Sequence, residues 1–114
     1  MVTGFQSADL ITEYITALGS VKKINIIASH PTGDEDLACA EYIKARLLGQ
    51  KTNAPTSLGR VRNCEAAQKF YNSSLFNPKD IELAAQIDKE ASFVMQVRCS
   101  GKLPYIEKIK LPIN

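Results

Sequence analysis

The chain has 114 residues, 45% of them apolar, and fourteen Lys and Arg against twelve Asp and Glu leave a formal net charge of +2. That length supports one domain with a single core, and the near balance of charge removes any global reason to expect nucleic acid, a membrane surface or a strongly acidic partner. Three widely spaced cysteines without a C-x-x-C pair indicate neither a disulfide framework nor a zinc site; with no apolar run near the ~20 residues of a membrane span and no signal-peptide pattern, a reducing cytoplasm is the expected setting.

In chain order, residues 1–6 form a short lead, after which Ser7 can cap a first helix. Leu10, Ile11, Tyr14, Ile15 and Leu18 recur there at helical spacing, and Gly19 sits where a left-handed residue would end it. Ile24-Asn25-Ile26-Ile27-Ala28 is a short, β-branched apolar run that suits a buried strand. The turn Ser29-His30-Pro31-Thr32-Gly33 breaks it. Asp34 then fits an N-cap, Glu35 and Asp36 fall in the first turn of a second helix, and Gly49 marks its end. The order helix, strand, helix is one crossover unit of an α/β fold.

Residues 50–59 are polar and hold both Pro55 and Gly59, which predicts a loop. Val61, Cys64, Gln68 and Tyr71, with Ala67 and Phe70 adjoining, define a third helix. Asn77 and Pro78 read as the cap and first turn of a fourth, with Ile81, Ala84 and Ala85 as its apolar stripe. Residues 92–98 and 105–110 are strand-like and flank Ser100-Gly101, a β-hairpin pattern in which Pro104 puts the second strand at an edge. The fold class is therefore α/β: a single domain over residues 1–114, with helices packed on a small mixed sheet and a C-terminal β-hairpin. So few strands for so many helices imply part of a larger or oligomeric α/β/α assembly.

A strand end aimed at a helix N-terminus is a common place for chemistry in such folds. Here the first turn carries acids. Asp36 lines up with Ala40, Ile43 and Leu47 on the stripe that faces the core, and carboxylates beside a strand end can hold a hard cation such as Mg²⁺, which keeps several waters. Favourable interaction with the helix dipole accounts equally well for acids in that turn. From Lys44 to Arg62 there are five basic residues and no acid: Lys44, Arg46, Lys51, Arg60 and Arg62. Lys44 and Arg46 suit a solvated helix end, whereas Arg60 and Arg62, next to the predicted loop, are the candidate ligands for a phosphate or other small anion. His30 is the sole histidine and shares the polar turn, as a candidate substrate contact. No Ser or Cys has a nucleophile setting, and Cys39, Cys64 and Cys99 read as small core residues.

His30, Asp34 and Asp36 after an apolar strand are similar to the opening motif of the DHH phosphoesterases, but that family's later His-His pair has no counterpart in a chain with one histidine. A wider similarity starts at Gly33-Asp34-Glu35-Asp36-Leu37-Ala38-Cys39-Ala40-Glu41-Tyr42-Ile43, which resembles the 2-phosphosulfolactate phosphatase family: a turn ending in glycine, an acidic pair, an apolar residue and a cysteine. Upstream, residues 4–18 and the apolar strand resemble the preceding helix and strand. Downstream, Pro78-Lys79-Asp80-Ile81-Glu82, Asp88 and the hairpin are similar to the family's end. The resemblance is to the C-terminal half of proteins about twice as long; their Asp-x-x-Arg-Ala-type and Asn-Gly-Thr segments are not found here.

This resemblance implies Mg²⁺-dependent hydrolysis of a small phosphate monoester such as 2-phosphosulfolactate, on the route to coenzyme M. It assigns Glu35 and Asp36 to the acidic pair, as metal and catalytic residues. It also implies a site completed by an N-terminal half or by a homo-oligomer. A non-catalytic anion-binding or regulatory domain, and a metal phosphoesterase of another family, are the alternative expectations.

Overall fold

The structure, a computed structural model, describes residues 1–30 and 32–111. A turn of 3-10 helix at Phe5–Ser7 leads into α1 (Ala8–Leu18), which buries Ile11 and Thr12 and ends, as its sequence predicts, at Gly19 in the left-handed region (φ 67°). α2 (Asp34–Leu47) buries Ala38, Tyr42 and Ile43. Two polar contacts tie it to Asp9 of α1. The Tyr42 hydroxyl donates to Asp9 Oδ1 at 2.7 Å, and Arg46 Nε lies 3.3 Å from the same oxygen.

Two expectations about the middle of the chain are corrected. The predicted loop over residues 50–59 is helical from its middle onward: α3 spans Ala54–Asn63. Asn53 Oδ1 accepts the Thr56 N–H at 3.1 Å and Pro55 occupies the first turn, and this pair of start signals outweighs the polar composition. The predicted third helix through Val61 and Tyr71 is in fact broken at Cys64, whose backbone is extended (φ −70°, ψ 162°). Its Sγ accepts the Ala67 N–H at 3.4 Å and so caps α4 (Glu65–Asn72). α5 (Lys79–Ala84) follows, with Asn77 Oδ1 accepting the Lys79 N–H at 3.0 Å.

β1 (Phe93–Ser100) and β2 (Leu103–Lys110) form the expected antiparallel hairpin, with Val97 opposite Ile106. Val2 adds a single bridge to Met95 on the other side of β1. The result is the expected mixed α/β architecture, with five α-helices packed on a small two-stranded sheet among the described residues. The main core joins Phe5, Ala8 and Ile11 to Ala38, Tyr42, Ile43, Val61, Ala85 and Val94. A smaller cluster of Cys64, Ala67 and Ile81 holds α4 and α5 together. Cys99 departs from expectation. It is exposed on the hairpin, next to the turn that joins β1 to β2, while Cys64 is buried and Cys39 half-buried.

The largest departure concerns residues 24–28. Among the described residues, positions 21–29 belong to no strand and make no backbone–backbone hydrogen bond. Ile27 is 85% exposed. A strand exists only with a neighbour, and the near edge of the hairpin is taken by Val2 rather than by this run. Among the described residues, no helix is long and apolar enough to cross a membrane.

Candidate functional site

The acidic turn is built by Gly33. Its N–H donates to the His30 carbonyl at 3.2 Å and its carbonyl accepts the Leu37 N–H at 3.1 Å, so Gly33, not Asp34, is the N-cap of α2. Pro31 of the predicted turn lies outside the described residues. His30 Nδ1 accepts the Thr32 N–H at 3.2 Å with the Thr32 hydroxyl 3.0 Å away, so the neutral ring carries its proton on Nε2, and the side chain is exposed.

Glu35 and Asp36 turn toward one another across Gly33. A Cβ built on Gly33 would lie 3.4 Å from Asp36 Oδ2 and 3.4 Å from Glu35 Oε1, with His30 Cβ at 3.1 Å. The Ser29 hydroxyl donates to Asp36 Oδ2 at 2.6 Å, which fixes that carboxylate across the turn. Sequence reasoning missed Ser29. It lies seven residues before Asp36 across a turn, where helical periodicity carries no information. Both acids line one end of a cleft of about 600 Å³ between the N-terminal segment, residues 24–29 and the inner faces of α1 and α2. Such a volume admits a small ligand. Cys39 also faces this cleft. Burial, and then the nearby Asp36 charge, push its thiol up to about 11, so it is a neutral wall at physiological pH and no nucleophile.

The predicted arginines are placed differently. Arg60 reaches back to the first turn of α2: its Nη2 lies 2.6 Å from Asp34 Oδ1, its Nε 3.2 Å from both Asp34 oxygens, and its Nη1 2.6 Å from Glu41 Oε2. The guanidinium holds the Asp34 carboxyl below the usual carboxylate range, and the two carboxylates raise Arg60 in turn. Arg62 points the other way, to Glu82 Oε1 at 3.4 Å and the Ala85 carbonyl at 3.4 Å. Of the predicted residues, Glu35 and Asp36 therefore line the cleft and His30 sits in the turn before them, whereas Arg60 is held at Asp34 and Glu41 outside the cleft lining and Arg62 lies on the α5 side.

Among the described residues no group of three or more His, Cys, Asp or Glu side chains converges as a metal-binding set. The donor chemistry of the turn nonetheless fits Mg²⁺. Two carboxylates flank an empty glycine cradle with a hydroxyl beside them, and Mg²⁺ needs only one or two protein carboxylates and completes its shell with water.

No family profile matches the chain, and no solved structure does. A protein described as a probable 2-phosphosulfolactate phosphatase, from Bacillus subtilis (strain 168), is 37% identical over 112 residues. The match takes in 95% of this chain and 49% of that protein, so the chain spans about half the length of the curated relative. Over nearly its whole length, then, this chain is similar to half of a probable 2-phosphosulfolactate phosphatase, the partial resemblance that its acidic turn and flanking elements imply.

Proposed function

We propose that the chain supplies the acidic-turn half of a Mg²⁺-dependent phosphatase that acts in the cytoplasm on a small phosphate monoester such as 2-phosphosulfolactate, on a route to coenzyme M. The observation that carries this reading is the 37% identity to a protein bearing that name. The arrangement of Glu35 and Asp36 about Gly33 at the end of the cleft supports it.

Asp36 and Glu35 would hold the cation, which when bound neutralises phosphoryl oxygens and orients an attacking water. Ser29 presents Asp36 by donating to Oδ2, leaving the other oxygen available. Arg60 and His30 are the proposed substrate contacts at this turn. A phosphate that reaches Arg60 competes with Asp34 and Glu41 for the same donors and displaces at least one of these exposed carboxylates into solvent. Arg62 joins the set only by leaving Glu82, an exposed ion pair that holds it weakly.

A second reading, a non-catalytic anion-binding or regulatory domain, is favoured in its regulatory form by one observation: the Arg60 guanidinium is engaged by two protein carboxylates at 2.6 Å each, a structural ion pair and not a free clamp for a transferring phosphoryl group. The test for both is phosphate release from an aryl phosphate with and without Mg²⁺, alongside direct Mg²⁺ titration, for wild type and Asp36→Ala. Mg²⁺-dependent release that disappears in the variant together with Mg²⁺ binding is the expected outcome for the phosphatase. Mg²⁺ binding that survives Asp36→Ala refutes the assignment of this carboxylate, and anion binding without turnover in either protein selects the second reading.

A further inference from the structure

Two runs of backbone face each other across the cleft without neighbours. On one side, positions 21–29 make no backbone–backbone hydrogen bond among the described residues, with Ile24, Ile26 and Ile27 exposed by 42%, 36% and 85%. On the other, Val2 donates to the Met95 carbonyl on its β1 side, while Met1 and Thr3 have no backbone partner among the described residues. The floor between them is apolar, formed by Ile11 and Ile15 of α1 and Cys39 and Ile43 of α2. Neighbouring strands lie ~4.8 Å apart, and an apolar floor bordered by two backbone runs without partners on that side is a surface that an added strand can cover. The face of the hairpin is uncovered as well, with Leu103 at 78% exposure and Ile106 at 56%.

The relative carries a second half to which this chain corresponds nowhere, since the match takes in 49% of it. We infer that the cleft is a strand-insertion site, filled by an extended segment of the polypeptide that corresponds to that other half and paired to residues 24–28 on one edge. The inserted strand ends beside Ser29, Glu35 and Asp36, so the partner completes the acidic turn as well as the sheet. This inference rests on the resemblance behind the proposed function. It requires no turnover, and its test reads association alone.

The half of the Bacillus subtilis relative that this chain does not match is produced as a separate polypeptide and titrated into the chain by calorimetry, with hydrogen exchange of both states. The expected result is a one-to-one complex in which the amides of residues 24–28 become protected by at least about tenfold. Ile26→Pro removes one of those N–H groups and is expected to weaken association by about tenfold or more. It leaves the helical signal of the free chain unchanged, because that N–H has no backbone partner there. Leu75→Asp, at an 86% exposed position outside the cleft, is expected to bind as wild type. No association up to roughly 100 μM, about 5.5 kcal/mol of binding free energy, overturns the inference, as does a complex in which residues 24–28 exchange as in the free chain. Protection of these amides that rises with the concentration of this chain alone overturns it in favour of a second copy.

Discussion

Gly33→Ala separates the chemistry of the acidic turn from its folding. Gly33 has φ −80° and ψ 99°, which alanine adopts freely, so the backbone is unstrained by the change. The added methyl meets His30 Cβ at 3.1 Å, and that side chain is exposed and can shift by a few tenths of an ångström. Reduced freedom of the unfolded chain stabilises by ~0.4–1 kcal/mol, while alanine is poorer than glycine at an N-cap by about the same amount. The net change in stability is therefore within about 1 kcal/mol, or roughly 5 °C in Tm for a chain of this size. The cradle suffers more. The same methyl lies 3.4 Å from both Asp36 Oδ2 and Glu35 Oε1, in the space where a cation shared by the two would bring its hydration shell. Mg²⁺ affinity is expected to fall by more than about tenfold, 1.4 kcal/mol, in a calorimetric titration run beside a thermal melt. Wild-type Mg²⁺ affinity in the variant refutes the shared carboxylate cradle. Destabilisation beyond about 2 kcal/mol refutes the account of the local packing instead.

Three further outcomes follow from particular residues. Val94 is 1% exposed in the core; Val94→Ala removes two methyl groups there, and it is expected to cost about 2 kcal/mol and roughly 10 °C in Tm by calorimetry. In native protein one thiol, exposed Cys99, is expected to react rapidly with a disulfide reagent, while Cys39 and Cys64, both raised by burial, wait for unfolding; a fast thiol remaining in Cys99→Ser would contradict this. The Arg60 contact depresses Asp34, so the folded state binds fewer protons there than the unfolded state just below the ordinary value of 3.8. Stability from this pair is present above that pH and is lost as pH falls through the lowered value, so Asp34→Asn is expected to flatten the acid limb of a urea-denaturation series, and an unchanged limb counts against the pair.

Much of the secondary structure was legible because it depends on neighbours in sequence. α1 and α2 were readable from apolar periodicity, Gly19 from the left-handed end it supplies, and the hairpin from two β-branched runs around Ser100-Gly101. The first half of α3, residues 54–59, has the composition of a loop and no apolar stripe, since α3 buries Val61 alone; its signal lies in the Asn53 cap and Pro55, not in hydrophobicity. The break at Cys64 was hidden for the opposite reason, since the apolar stripe runs through it while the backbone does not.

What the chain's own residues determine is a helix start rich in acids, with Asp36 in line with the core-facing stripe of α2, and an apolar run at residues 24–28 with strand chemistry. Only the tertiary structure decided that Arg60 closes on Asp34 and Glu41 from 26 and 19 positions away, that Ser29 holds Asp36, and that the apolar run has no backbone partner among the described residues. Helix formation and capping are settled within a few residues by backbone hydrogen bonds to near neighbours. Ion pairs and strand pairing join groups remote in sequence, so their partners become known only when the chain is folded.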